Sequence, residues 1–356
     1  MKKVLIICRT PFQVITGLII AHNKEKESYV DLMVTSDFKG AGNIVNECKK
    51  LSCFRNVFYC DYSRFRYFLG VLFPQIFLRQ FNKELISNYG LIYTNSVMGD
   101  LENALIYYNK HAGFVLYDEG YSSYLGLSLS IDLSFKHGLC QKISHFLFRR
   151  EYSHHLIIKQ LLYDTDLIVM DMPYKVEQLW NHDSADEKMV MNDVSNIFDV
   201  KNHIKEYDKK YIYFEECFAS DFNNNGDFEI INTVRDIVGT ENLMVKLHPR
   251  DNTNRFSKLG IATNKKIGIP TEALISEMSN KNVVFLSFSS GSTINYKFIS
   301  DCKIKTILLY KLFPESFIKM GKEQKEWFEK FINKYSKDLF APQTIEELIT
   351  TIKKIS

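Results

Sequence analysis

Short apolar runs punctuate the chain, and between them apolar residues recur on a helical period. Residues 4–8, 30–34, 57–60, 91–93 and 113–117 are runs too short for helices, rich in Val, Ile, Leu and aromatic residues. They read as buried strands. After the first run, Thr10 and Pro11 form a helix start, with Thr10 as N-cap, Pro11 in the first turn, and Ile15, Leu18 and Ile19 on one face. Helices are predicted over 41–50 and about 101–109. From about 125 to 196 the pattern loosens. There 139–162 is basic and amphipathic, with Ile143, Phe146 and Leu147 on one helical face, and 166–170 reads as one more strand. The alternation then restarts. Strands are expected at 211–214, 243–247, 283–286 and 305–309, and helices at 228–238, 271–278, from about 292, 322–334 and 344–353.

Strands alternating with helices predict parallel sheets covered on both faces. Two such halves predict an α/β protein of two Rossmann-like domains facing each other across a cleft. The expected division is 1–165, with an irregular amphipathic linker at about 125–165, and 166–356. A chain of 356 residues is long enough for both. Its 46% hydrophobic content argues against disorder, and a net charge of +3 without a basic stripe argues against nucleic acid as partner. Seven dispersed cysteines with no CxxC pair suggest reduced thiols in a cytoplasmic protein. The opening apolar run ends at Arg9 with no cleavage site after it, so it is read as a strand and not a leader. The most apolar stretch, 67–78, holds Pro74 and Gln75 and is bracketed by Arg66 and Arg79, whereas a span needs roughly 20 apolar residues.

Three short segments at predicted strand ends can carry chemistry, because open α/β sheets bind ligands there. In Lys246-Leu247-His248-Pro249 the ammonium and imidazole alternate around Leu247 and share a face, while Pro249 ends the ladder. Such a pair suits a phosphate, and the histidine can protonate one that leaves. In Ser289-Ser290-Gly291-Ser292 small residues let backbone N–H groups approach an anion. Asp118-Glu119-Gly120 sets two carboxylates before a glycine turn, as base or as acceptors for sugar hydroxyls. Taken singly, each also reads as an ordinary strand-end histidine, N-cap or turn. Asp164-Thr165-Asp166 precedes a predicted strand, and His154-His155 diverge on a helix, so no metal site is expected.

In their order these motifs resemble the bacterial sialyltransferases, the lipooligosaccharide sialyltransferases of glycosyltransferase family 52 above all. That group shares an acidic-acidic-Gly motif, a His-Pro motif and a later serine motif. Arg9-Thr10-Pro11-Phe12-Gln13 is similar to its opening. The resemblance implies a GT-B fold and a metal-independent, inverting transfer of sialic acid from CMP-sialic acid to a galactose-type hydroxyl of a surface glycan. It needs no cofactor. It implies His248 as acid on the CMP phosphate, with Lys246, Pro249, Ser289, Ser290 and Gly291 beside it and Glu272 on the ribose. The base maps to Asp221 in the closer family and to Asp118 in related ones. Thr10, Gln13, Glu119 and Gly120 would line the acceptor or donor side. A homodimer is expected by the same route. Peripheral contact with the inner face of the cell membrane through 64–81 or 139–162 is the corresponding expectation for localisation. The alternatives are another GT-B hexosyl- or polysialyltransferase of capsule or lipooligosaccharide synthesis, or a non-catalytic GT-B component of that pathway.

Overall fold

The computed structural model describes residues 1–61, 78, 81–97, 100–125, 156–180, 184–216, 226–250, 254–278, 281–313 and 320–355. By its contacts the chain divides into two compact units, Met1–Val190 and Met191–Ser356. The first is built on a sheet of seven strands: β1 (Lys3–Cys8), β2 (Tyr29–Thr35), β3 (Asn56–Cys60), β4 (Leu91–Thr94), β5 (Gly113–Tyr117), β6 (Ile157–Leu162) and β7 (Val176–Gln178). The second has six: β8 (Tyr211–Phe214), β9 (Leu243–Lys246), β10 (Ala262–Thr263), β11 (Val284–Ser287), β12 (Lys305–Leu308) and β13 (Leu339–Phe340).

The orders are β3-β2-β1-β4-β5-β6-β7 and β10-β9-β8-β11-β12-β13, and every neighbouring pair is parallel. Each sheet therefore gathers its strand C-termini along one edge. Each order also reverses once, between β1 and β4 and between β8 and β11. There the connections leave toward opposite faces and open a crevice at the strand ends.

The central strands are apolar on both faces because both faces are covered. Val4 to Cys8 are wholly buried. Helix Pro11–Ile19 starts where Thr10 Oγ1 accepts the Gln13 N–H at 3.2 Å. It lies close on β1 because Gly17 faces the strand. A Cβ there would come within 3.1 Å of Cys8 Sγ and 3.3 Å of Ile6 Cγ2. In the second unit, alternate residues of neighbouring strands (Tyr211 and Tyr213, Leu243 and Val245, Val284 and Leu286) pack against Ile230, Ile231 and Val234 of helix Gly226–Val238 and Leu348 and Ile352 of helix Ile345–Ile355. Each such side chain contributes about 1.5–3 kcal/mol by leaving water. Elsewhere in that unit Trp327 stacks on Phe331 at 4.9 Å.

Three expectations are corrected. The strand expected at 166–170 is a short 3-10 turn, Thr165–Leu167, in which Asp164 caps the N–H of Asp166. The strand lies earlier: 157–162, expected to be amphipathic helix, is β6, held by its ladder to β5. The part of that segment from 139 to 155 lies outside the described residues, as does most of 64–81. The helix expected from about 292 is two 3-10 turns, Gly291–Thr293 and Asn295–Phe298. Ser290 Oγ takes the Ser292 N–H and Thr293 Oγ1 donates to the Ser290 carbonyl, so side chains compete with the helical ladder. β7 adds to the first sheet beside β6. Among the described residues no helix is long and apolar enough to cross a membrane.

Candidate active site

In the second unit the crevice opens between β8 and β11. Glu215 and Glu216 follow β8 directly, and their side chains leave on opposite sides. Glu215 is buried. One of its oxygens accepts the His248 N–H at 2.8 Å, and the other takes the Arg255 guanidinium at 2.8 Å. Arg255 also pairs with buried Asp227 and lies over the rings of Phe228 and Phe256 at 5.4 and 5.3 Å. Glu216 turns toward β11. Its Oε1 accepts the Ser289 N–H at 2.5 Å and Ser289 Oγ stands 3.4 Å from Oε2, while the Ser290 N–H donates to Ser287 Oγ at 3.3 Å. Burial pushes the Glu216 carboxyl up to about 7 against the pull of the Ser289 donors.

Lys246 ends β9 and is 7% exposed. Its ammonium lies 5.6 Å from the centre of the Phe214 ring and has no hydrogen-bond partner among the described residues. Burial lowers it to about 8, with Glu272 opposing. Glu272 opens helix Thr271–Met278 and is itself buried. Burial pushes its carboxyl up to about 7, while its own N–H, Lys246 and the Asn295 side chain pull it back. Asn295 is 7% exposed and packs on Gly291, where a Cβ would stand 3.6 Å from its Nδ2. The Asn295 Oδ1 is buried with no hydrogen-bond partner among the described residues. An orphaned buried carbonyl costs about 1–3 kcal/mol, so a ligand donor would be welcome there.

His248 is half-buried at the strand end, with Pro249 in the turn that follows. Its Nδ1 accepts the Arg250 N–H at 3.2 Å, so the neutral ring carries its proton on Nε2. Ser290 Oγ caps the Ser292 N–H at 3.3 Å and shares a hydrogen bond with Ser292 Oγ at 2.8 Å.

In the first unit the acidic pair follows β5. Asp118 is wholly buried and accepts the N–H of Gly120 at 2.7 Å, the N–H of Tyr163 at 3.0 Å and the Tyr124 hydroxyl. Burial nevertheless pushes its carboxyl up to about 7. Gly120, at φ 116°, makes the turn beyond it, a conformation glycine adopts without strain. Glu119 leaves on the other side, toward the crevice between β1 and β4. It accepts Asn95 Nδ2 at 2.6 Å, Gln13 Nε2 at 3.3 Å and Ser122 Oγ at 3.4 Å, and burial raises its carboxyl above the usual range. Gln13 in turn accepts the Arg9 N–H at 2.7 Å. Arg9 grips buried Glu102 with two bonds of 2.9 and 2.7 Å and reaches Asp37 at 3.2 Å.

The structure thus joins Lys246 to Glu272, and Gln13 to Glu119. Thr10 serves as a helix cap, and Asp118 closes an internal network. Asp221 lies outside the described residues. Sequence reasoning missed Glu216, Asn295, Arg255 and Asn95 as members of these sites. Only the two carboxylates in succession after an apolar strand offered a signal.

No protein-family model and no curated protein sequence matches the chain. Solved structures do. The UDP-GlcNAc 2-epimerase of Methanocaldococcus jannaschii matches over 99% of this chain and 92% of its own at 13% identity and a TM-score of 0.56. The glycotransferase of kitacinnamycin matches over 99% and 90% at 8% identity and a TM-score of 0.52. A Photobacterium damselae sialyltransferase, over the residues of its GT-B domain, matches 96% of this chain and 100% of its own at 12% identity and a TM-score of 0.48. At these identities the likeness speaks to the fold. Two parallel, doubly wound sheets in succession make this a GT-B fold.

Proposed function

We propose that the protein is a sialyltransferase that takes sialic acid from CMP-sialic acid and passes it to a galactose-type hydroxyl. The observation that carries this reading is the buried, hydrogen-bond-poor ammonium of Lys246 beside Glu272, on the strand that leads into His248. An ammonium held out of water without a hydrogen-bond partner is a site for an anion. The neighbouring buried carboxyl suits the hydroxyls of a ribose. The serine turn after β11 supplies further donors.

In this reading the second unit binds the donor. Charge develops on the phosphate as CMP departs, and its stabilisation is the largest expected contribution to rate. Lys246 neutralises part of it, and His248 donates the Nε2 proton to a phosphate oxygen. The Arg250 N–H on Nδ1 keeps the ring in that tautomer. The first unit handles the acceptor. Asp118 is the poorer base of the acidic pair, because its carboxylate already serves Gly120, Tyr163 and Tyr124. Glu119 faces the crevice with a raised carboxyl, which brings it nearer the operating pH of a general base. Gln13 and Asn95 orient it.

The test is release of CMP from CMP-sialic acid with and without lactose, for wild type and His248→Ala. Lactose-stimulated release that falls roughly 10²-fold or more in the variant supports the assignment. A folded wild type that leaves CMP-sialic acid intact and turns over a UDP-sugar overturns it.

A further inference from the structure

The crevice of the second sheet holds a carboxyl group that belongs to the protein, ionised above about pH 7. Glu216 extends from the end of β8 to the end of β11, across the point where the strand order reverses. The Ser289 N–H binds its carboxylate at 2.5 Å, and Ser289 Oγ adds a weaker contact at 3.4 Å. A turn N–H and a serine hydroxyl that take a carboxylate can take a phosphate oxygen in its place. Two further features at strand ends of the same sheet suit a ligand. Asn295, 7% exposed and packed on Gly291 just beyond the serines, keeps an orphaned Oδ1. Lys246 holds its buried ammonium without a hydrogen-bond partner among the described residues.

We infer that Glu216 is a built-in occupant of the phosphate-binding turn, which the donor's phosphate must displace, and that its charge sets how much phosphate charge the site accepts. This rests on the reading of that turn as the donor's phosphate site. Two anions cannot share one set of donors. A carboxylate that swings aside but stays in the crevice repels each additional phosphate charge. The penalty therefore grows from a monophosphate to a diphosphate, so Glu216 favours a sugar donor activated by a single phosphate. Glu215 cannot take this part, since both its oxygens are engaged on the His248 side.

The experiment measures binding of cytidine, CMP, UDP and inorganic phosphate by calorimetry to wild type, Glu216→Gln and Glu216→Ser. Both variants remove the charge. Gln keeps an acceptor for the Ser289 N–H, and Ser shortens the chain and clears the turn. The expected result in a folded variant is unchanged cytidine affinity, CMP tighter by roughly ten-fold, and a larger gain for UDP. Equal or weaker CMP binding in both variants, with wild type binding CMP, overturns the inference and leaves the donor reading standing. Phosphate that tightens in the variants while CMP binds no better than phosphate supports the occupied turn and overturns the cytidylate reading. Failure of both variants to fold makes Glu216 a structural brace and overturns the inference.

Discussion

Lys246 keeps its ammonium inside the second unit with one aromatic ring and one carboxyl for company, which makes Lys246→Met an informative change. The lowering from 10.5 to about 8 corresponds to about 3 kcal/mol of cost for holding the charge in the native state at neutral pH. Methionine matches the length of the lysine stem and keeps its packing. It also leaves Glu272 without a countercharge. That carboxyl, already pushed up to about 7, can take a proton at little cost. The expected net result is a gain of about 1–3 kcal/mol, and a melting temperature higher by several degrees. Nucleotide binding should move the other way, with CMP weaker by roughly 10- to 100-fold from the lost charge-assisted contact.

The pH dependence separates this account from simple repacking. The native pKa of Lys246 lies below its unfolded value, so between about 8 and 10.5 the native state has released a proton that the unfolded chain retains. Wild-type stability should therefore rise through that window relative to Lys246→Met, and the advantage of the variant should close. The assay is urea unfolding of both proteins at pH 7, 8.5 and 10. A variant less stable than wild type at pH 7 by more than about 1 kcal/mol, or a difference that does not change with pH, would show that the ammonium is well satisfied in the free protein.

Three further outcomes are expected. Glu119→Gln should lower kcat by roughly 10²-fold or more with KM for the donor little changed, whereas a fall no greater than that of Asp118→Asn would remove Glu119 as base. Asp118 has a native pKa pushed up to about 7, above its unfolded value, so the native state holds its proton longer and stability falls as pH rises from about 4 to about 7. Asp118→Asn should remove that component of the slope in thermal melts from pH 4 to 8, and an unchanged slope would contradict the burial argument. Glu215→Ala should free the His248 N–H and leave Arg255 to Asp227. Donor turnover should then drop in kcat and the acid limb of its pH profile should shift, and a purely thermal effect would make Glu215 a brace alone.

The central strands of both sheets were legible because a central parallel strand must be apolar on both faces, as Val4 to Cys8 are. The short edge strands β7, β10 and β13 were not, and neither was β6. Ile158 is 51% exposed and Lys159 pairs with Glu177, so its outer residues break the apolar run and imitate an amphipathic helix. Pairing with β5, more than thirty residues earlier in the chain, decides its form. The motif residues were legible for a related reason: a strand end fixes which residues reach the crevice edge. Strand parity carries more than the motifs did. Asp118 follows Phe114 and Leu116, which face the core, and Glu119 follows Val115 and Tyr117, whose hydroxyl bonds the Ile7 carbonyl beside Gln13. Parity alone therefore puts the two carboxylates on opposite sides, and only the seat of helix Pro11–Ile19 decides which side is chemical. For Glu215 and Glu216 the same rule separates the pair. Their partners, however, lie on the turns after β9 and β11, far along the chain and brought close only by the β9-β8-β11 strand order. Two charges that a linear reading assigns to a solvated loop thus become the internal ligands of both donor-side turns.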